Sequence, residues 1–274
     1  MSTRINTNLD ASNASRNLGK TSDMLSKNLQ KLSSGLRINS AADDATGLAI
    51  SERMKAQLGG LKAATNNASD AISLVQTAEG VLIEAHSMLL RMRELAVRSA
   101  TDSVDDAARS INQNEVSRLL TNIDNIAAVT KYNGITLLDG TATDLVFQIG
   151  PNNTDNDRLT VTIGDATSAG IGADGVDIST KSGAQAAIDS LDIAIANISR
   201  IRSELGAAQN GLERNINSIG ISIENTTASI SRITDADMAD EMVSFTKNNV
   251  LAKAAQSMLS QANSMPLGLL DLLK

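Results

Sequence analysis

The fold is decided by residues 188–233, which read IDSLDIAIANISRIRSELGAAQNGLERNINSIGISIENTTASISRI. Apolar residues recur through this stretch at alternating spacings of three and four, the period of a helix that packs along one seam. The seam positions are Ile188, Leu191, Ile195, Ile198, Arg202, Leu205, Gln209, Leu212, Ile216, Ile219, Ile223, Thr226, Ile230 and Ile233. Only Arg202, Gln209 and Thr226 interrupt the apolar set. The pattern therefore predicts one long helix, buried mostly within its own chain.

A second seam with the same spacing lies in the first half of the chain. Its members are Leu74, Ala78, Val81, Ala85, Met88, Met92 and Leu95. Residues 101–103 interrupt this pattern, and a further helix is predicted beyond them, with Val116 and Ile123 on its apolar face. Several long helices with such stripes predict a mainly α fold, in which an antiparallel bundle buries the stripes against one another.

Both ends of the chain carry apolar stripes that their own helices cannot bury. The N-terminal helix is predicted to begin near residues 6–8 and to end at Gly35, and its stripe contains Leu18, Leu25, Leu29, Leu32 and Leu36. The C-terminal stripe contains Leu251, Met258, Met265 and Leu272, spaced seven apart, and its helix is predicted to end at Met265–Pro266. Such helices pair with each other or with neighbouring copies of the chain. We expect an inner coiled coil in which the two stripes meet within one chain and then contact other copies.

The middle of the chain has a different composition. Residues 145–149 and 159–163 are rich in β-forming side chains, and Gly150, Pro151 and two asparagines lie between them, which predicts a β-hairpin. The stretch 164–183 has little core-forming content and is predicted to be a loop or stub. Two polar breaks, at residues 37–44 and 234–237, separate the terminal helices from the long helices.

These boundaries predict three parts. The first is an inner core of terminal helices, residues 1–44 with 235–274. The second is a long-helix bundle, residues 45–140 with 183–234. The third, residues 141–182, is a β-hairpin with a short outer stub. The fold class is therefore a long antiparallel helical bundle with a small β-hairpin and paired terminal helices.

Composition excludes several functional classes. The chain contains no cysteine, which removes disulfides and thiolate chemistry. A formal net charge of −7 without any basic run argues against nucleic-acid binding. No apolar run is long enough to span a membrane, and residues 1–20 lack the apolar core of a secretory signal peptide. We expect a protein that either stays inside the cell or leaves it by another route.

Residues with catalytic potential are few. His86 is the only histidine, so we interpret it as a packed or surface residue rather than a metal ligand. Asp43 and Asp44 lie in a break beside alanine and glycine, so a capping or hinge role is favoured over acid–base chemistry. Asp155 and Asp157 lack the glycine and the terminal glutamate of a calcium loop. We expect no enzyme activity, no metal and no cofactor.

Several segments together resemble bacterial flagellin, the subunit of the flagellar filament. Residues 32–50, LSSGLRINSAADDATGLAI, are similar to the N-terminal signature of that family, and residues 91–97, RMRELAV, are similar to its outer-helix motif. Residues 131–134, KYNG, and 137–140, LLDG, resemble the turn before its hairpin. Arg232, Ile233 and residues 261–263, QAN, resemble its C-terminal signature. Outside about residues 164–183, the resemblance covers nearly the whole chain.

The resemblance implies a structural protein that polymerises into the extracellular helical filament used for swimming. It implies export of the unfolded chain through the flagellar type III apparatus and folding at the filament tip. The implied partners are many further copies of the chain, an export chaperone on the C-terminal helix, and the filament cap and hook-associated proteins. Residues 141–182 would be a vestige of the variable outer region.

The resemblance also bears on recognition by another organism. Some members of the family are sensed by Toll-like receptor 5, and the matching positions in this chain are Arg91, Leu95 and Glu115. The same three residues are alternatively expected to form axial contacts between subunits, and both roles are compatible.

Three other functions remain open. A hook–filament junction protein of the same family would share the terminal signatures but would not form the bulk of the filament. An enzyme would need a larger insert and a motif such as His-Glu-x-x-His, neither of which is present. An intracellular coiled-coil scaffold would fit the heptads but not the export route.

Overall fold

The structure is a computed structural model that describes the backbone of residues 7–271 and the side chains of residues 7–265. In this part of the chain the helices are α1 (Leu9–Ser34), α2 (Ala45–Ser99), α3 (Asp106–Val129), α4 (Ser168–Ile171), α5 (Lys181–Thr234) and α6 (Met238–Asp271). The strands are β1 (Lys131–Tyr132), β2 (Ile135–Thr136), β3 (Leu145–Gln148) and β4 (Arg158–Val161). The predicted mainly α fold is confirmed.

The chain divides into two compact units. One comprises Gln57–Glu224, and the other comprises Met1–Ala56 with Asn225–Lys274. The boundaries between these units fall inside helices α2 and α5 rather than at the polar breaks. The three-part division drawn from the sequence stays a prediction.

The unit Gln57–Glu224 is a bundle built on the two predicted seams. Helices α2 and α5 run antiparallel, since Arg93 pairs with Asp192 and Leu61 packs with Ile219 at the other end. Every seam position of α5 from Ile188 to Ile223 is buried or half-buried, as the spacing of three and four predicts. Helix α3 packs against them through Val116 and Ile123, which are 0 % and 1 % exposed.

Residues 164–180 contradict the expectation of a stub with little core-forming content. Ile171 and Ile178 are fully buried, and both belong to the main core of this unit. Side chains from distant helices hold the segment in place: Gln113 accepts from the Ile178 N–H at 2.7 Å, and Asp124 accepts from the Ser168 N–H at 2.7 Å. The segment is therefore part of the folded core.

Two antiparallel hairpins follow α3. Strands β1 and β2 are joined by Asn133 and Gly134, with φ of 48° and 83°, the left-handed pair that a tight two-residue turn requires. Strands β3 and β4 pair Leu145 with Val161 and Gln148 with Arg158, which confirms the predicted hairpin with slightly shorter strands. The loop between them is closed by Asp157, which accepts from the Asn152 N–H at 3.1 Å.

The hairpin loop packs against α2 at a glycine. A methyl group added at Gly60 would lie 2.9 Å from the Pro151 Cβ, whereas one added at Gly59 would meet nothing within 4 Å. The helix therefore tolerates Gly60, despite a cost of about 1 kcal/mol relative to alanine, because the loop approaches closely there.

We expect opposite effects from two neighbouring substitutions. Gly59→Ala should raise the free energy of unfolding by about 1 kcal/mol, because alanine favours the helix. Gly60→Ala gains the same helix propensity, but its new methyl group displaces Pro151 at a cost of about 1–3 kcal/mol, so we expect a net loss of up to about 2 kcal/mol. Chemical denaturation followed by circular dichroism measures both. Equal stabilisation by the two variants would show that the loop does not rest on Gly60.

The other unit contains α1, α6 and the two breaks. Helix α1 begins at the cap Asn8, which accepts from the Ala11 N–H, and ends at Gly35 with φ of 70°, as predicted. The breaks pair through an antiparallel bridge between Leu36 and Asp235, and the Arg37 N–H donates to the Thr234 carbonyl at 2.6 Å. These contacts explain why both helical patterns stop at matching points.

Helix α6 does not end at Met265–Pro266 as the sequence predicted. Its backbone stays helical to Asp271. Proline has no N–H to donate to the carbonyl four residues earlier, which here is that of Ala262. The Asn8 amide donates to this carbonyl at 2.7 Å instead, so the missing hydrogen bond is replaced.

Candidate assembly interface

Helices α1 and α6 pack together through a face that mixes alanine and small polar side chains with larger apolar ones. Their facing positions recur at spacings of three and four and are mostly half-buried. On α1 they are Ala11, Ala14, Leu18, Thr21, Leu25, Asn28 and Leu32, and on α6 they are Phe245, Asn248, Ala252, Ala255, Leu259 and Ala262. The Asn8 amide donates to the Ala262 carbonyl at 2.7 Å, which places the start of α1 beside the distal half of α6. The pair is antiparallel.

This pairing differs from the seam that we expected within one chain. Leu18, Leu25 and Leu32 do lie in the contact and Leu36 is half-buried beyond it, but Leu29 is 49 % exposed. On α6, Leu251, Met258 and Met265 are 46 %, 65 % and 58 % exposed, so they lie beside the α1–α6 contact rather than filling it. Leu272 lies outside the described residues.

The reason for the difference is geometric. Ala252 and Leu259 each follow a predicted seam residue by one position, which turns them about 100° around the helix. The contact face is therefore rich in alanine, which lets the helices approach closely, and the larger side chains at Leu251, Met258 and Met265 flank it. The predicted pairing of the two terminal helices is confirmed, but these three side chains flank the contact instead of filling it, and their role in contacts between copies stays a prediction.

The flanking side chains Leu251, Met258 and Met265 are spaced seven apart and form the exposed apolar stripe of α6. Four further large apolar side chains of α6 are also at least 45 % exposed but lie on other sides of the helix: Met238, Met242, Val243 and Val250. Folded monomers rarely expose contiguous apolar surface of this kind, and such surface marks a protein–protein contact. Fully burying one such side chain gains about 1.5–3 kcal/mol.

A groove accompanies the stripe where α1 and α6 meet. It encloses about 470 Å³ and is lined by Asp10, Asn13, Ala14 and Asn17 of α1 together with Ala255, Met258, Gln261, Ala262 and Met265 of α6. Met258 and Met265 therefore border a concave apolar surface whose opposite edge, at Asp10, Asn13 and Asn17, is polar. A ridge of apolar side chains beside a groove is a shape that a helix of a second copy can complement.

The three residues matched to receptor recognition occupy different environments. Arg91 donates to Glu115 at 2.9 Å and to Glu94 at 2.7 Å, on an exposed face of α2 and α3. These hydrogen bonds, chiefly the one to Glu115, raise the pKa of the Arg91 guanidinium above its ordinary value. Leu95 is only 2 % exposed and packs in the core, so a direct contact through its side chain is unavailable in this fold.

Arg109 has a role that the sequence did not reveal. Its side chain is almost fully buried, and it donates to the Ser99 carbonyl at 2.9 Å and to the Thr101 carbonyl at 2.8 Å. It also pairs with Asp106 at 2.5 Å. Arg109 thus satisfies the free carbonyls at the end of α2 and joins α2 to α3. Only its position, four residues after the cap Asp105, hinted at this.

The paired carboxylates Asp43 and Asp44 are both engaged by backbone N–H groups. Asp43 accepts from the Ser40 N–H at 2.9 Å and from the Asn39 N–H at 3.2 Å, and these bonds hold the pKa of its carboxyl below the usual value. Asp44 accepts from the Thr46 and Gly47 N–H groups at the start of α2. The capping interpretation is confirmed for Asp44, whereas Asp43 closes the turn that precedes it. Among the described residues, no three histidine or acidic side chains are grouped to hold a metal.

The helices also bear on membrane insertion. None of those in the described part of the chain is both long and apolar enough to cross a membrane.

Comparison with known proteins gives a consistent result at both ends of the chain. The family model of the bacterial flagellin N-terminal helical region matches residues 5–143, and that of the C-terminal helical region matches residues 188–273. A flagellin of Halalkalibacterium halodurans is 45 % identical over 270 residues, covering 98 % of this chain and 99 % of the relative. A flagellin of Bacillus subtilis is 45 % identical over 305 residues, covering 99 % and 100 %.

A solved structure agrees with these relatives. The crystal structure of Bacillus cereus flagellin is 29 % identical and superposes with a TM-score of 0.50. The superposed region covers 56 % of this chain and 88 % of the crystallised flagellin.

Proposed function

Because the chain belongs to the bacterial flagellin family, we propose that the exposed apolar stripe of α6 is the surface through which its copies polymerise. The chain is a structural subunit of the flagellar filament, and relatives that match it from end to end are flagellins. The observation that carries the proposal is the exposure of Leu251, Met258 and Met265 on a helix whose other face already packs on α1.

Energetics support assembly through this surface. The α1–α6 pair exposes most of its side chains, since Asn28 of α1 and Ala262 of α6 are the fully buried residues within the described part of the two helices. A pair with so little core has a low free energy of local opening. Burial of the stripe against neighbouring copies adds apolar contact at every second turn of the distal half of α6, which offsets the entropy of ordering these helices.

The place of assembly and the partners of the chain are proposed from its membership of the flagellin family. We propose that the unfolded chain is exported through the flagellar type III apparatus and folds at the tip of an extracellular filament used for swimming. A cytoplasmic chaperone would cover the α6 stripe before export, because the same apolar surface would otherwise drive early association. The filament cap and the hook-associated proteins would contact the assembled subunits.

A hook–filament junction protein is the alternative within the same family. It is less well supported, because the flagellins of Halalkalibacterium halodurans and Bacillus subtilis match this chain over nearly their full length. Counting the copies per filament by quantitative mass spectrometry distinguishes the two, since a junction protein is present in few copies and a filament subunit in most.

Limited proteolysis tests the proposal. In the monomer we expect α1 and α6 to be cut well before the bundle Gln57–Glu224, because their local opening is easy. In the polymer the same helices should resist the protease, and the pattern of cleavage sites read by mass spectrometry reports the change. Cleavage of α6 at equal rates in monomer and polymer would sink the proposal.

We also propose Arg91 and Glu115 as surface residues recognised by Toll-like receptor 5 or by the next subunit along the filament. Arg91→Ala should lower receptor signalling by monomer at least tenfold in a reporter-cell assay, because it removes the charge paired with Glu115. Arg98→Ala, an exposed arginine on the same helix, serves as the matched control and should signal normally. Unchanged signalling by Arg91→Ala would count against the receptor role.

A further inference from the structure

The methionines of the chain differ in exposure between the two units. In the unit Gln57–Glu224, Met92 is fully buried and Met88 is half-buried. In the other unit, the exposed methionines are Met24, Met238, Met242, Met258 and Met265, with exposures from 45 % to 65 %. Among the described residues, every exposed methionine therefore lies on α1 or α6, and two of the five, Met258 and Met265, lie in the apolar stripe.

These thioethers are also the most readily oxidised groups of the chain. The sequence contains no cysteine and no tryptophan, so no thiol or indole competes for an oxidant. Met258 and Met265 border the groove between α1 and α6, where solvent reaches them.

We propose that Met258, Met265 and the other exposed methionines of α6 are sites of oxidation to the sulfoxide by hydrogen peroxide, and that this modification prevents unassembled chains from polymerising. The inference rests on the proposed function, because it concerns the same apolar stripe. It adds a chemical control over whether that stripe can be buried.

The chemistry needs only access to the sulfur. A lone pair on the methionine Sδ attacks one oxygen of hydrogen peroxide, so an S–O bond forms as the O–O bond breaks. The departing oxygen takes up the proton of the transferred hydroxyl group and leaves as water. The sulfur loses two electrons and the peroxide gains them. A buried sulfur such as that of Met92 is shielded from this reaction.

The product changes the surface rather than the helix. A sulfoxide is polar, and burying it without a hydrogen-bond partner forfeits the gain of burying a thioether. The side chains in question lie in solvent, so the helical content of the monomer should not change. We expect the critical concentration for polymer formation to rise about tenfold for each sulfoxide that the polymer has to bury.

The experiment treats purified full-length monomer with hydrogen peroxide and maps sulfoxides by peptide mass spectrometry. We expect Met258 and Met265 to be oxidised under conditions that leave Met92 reduced. Sedimentation should then show polymer in the untreated sample and none in the treated sample at the same concentration. Methionine sulfoxide reductase should restore polymer formation. Treated chain that carries both sulfoxides and still polymerises like untreated chain would overturn the inference.

Two variants separate oxidation at the stripe from oxidation elsewhere. In a variant with all five exposed methionines replaced by leucine, peroxide should no longer change the critical concentration. In Met92→Leu, peroxide should raise it as in the native chain. Loss of polymer on treatment of the five-leucine variant would contradict the inference. Untreated native chain that does not polymerise would overturn the proposed function and the inference with it. Treated chain that still polymerises would overturn only the inference, so the two failures can be told apart.

Discussion

Replacing Met258 by aspartate is expected to abolish filament formation while leaving the helical content of the monomer unchanged. Met258 is 65 % exposed, so the monomer accommodates the carboxylate in water. In the polymer the same charge would be buried without a partner, at a cost of several kcal/mol in each copy. Sedimentation and negative-stain microscopy report the polymer, and circular dichroism reports the monomer.

Two further variants serve as a control and as a second test of the Met258→Asp prediction. Met258→Leu keeps an apolar side chain of similar volume and should still polymerise. Leu29→Asp places the same charge on the exposed side of α1 and should act like Met258→Asp. If either aspartate variant unfolds the monomer, the replaced side chain stabilises the single chain rather than the contact between copies. If both variants polymerise normally, these side chains do not lie in the contact between copies.

Replacing Arg109 by alanine is expected to lower the free energy of unfolding of the monomer by about 2–3 kcal/mol. The substitution leaves the Ser99 carbonyl without the donor that lies 2.9 Å away, and Ser99 is itself fully buried. It also removes the link between the end of α2 and Asp106 at the start of α3. Urea denaturation followed by circular dichroism measures the loss.

The matched control for this prediction is Arg118→Ala on the same helix. Arg118 is exposed, and substitution of an exposed arginine away from caps usually changes stability by no more than about 0.5 kcal/mol. A similar loss from both variants would show that Arg109 contributes only ordinary helix propensity and not a buried cap.

The long helices and their ends could be predicted because the signals are local. The seam of α5 repeats every three or four residues from Ile188 onwards, and every member is buried or half-buried where the period places it. The two caps of α1 are likewise local signals. The side chain of Asn8 starts the helix, and the left-handed backbone that glycine allows at Gly35 ends it. Such features depend on neighbours a few residues away, which the sequence displays directly.

The parts that could not be predicted depend on distant residues. Residues 164–180 look like a loop because their apolar side chains have no regular spacing, yet Gln113, Asp124 and Asn197 fix them to the bundle. The face of α6 that packs on α1 was missed because its alanines carry little weight in a pattern of large apolar residues. Close packing of small side chains between antiparallel helices is visible only in three dimensions.

Electron cryomicroscopy of the polymer formed by the purified chain tests the central claim most directly. The measurement is the solvent exposure of Leu251, Met258 and Met265, which are about half-exposed or more in the single chain. We expect all three to be buried against α1 or α6 of neighbouring copies. A polymer in which they remain exposed, with its contacts made elsewhere, would contradict the assignment of the α6 stripe as the surface that builds the filament.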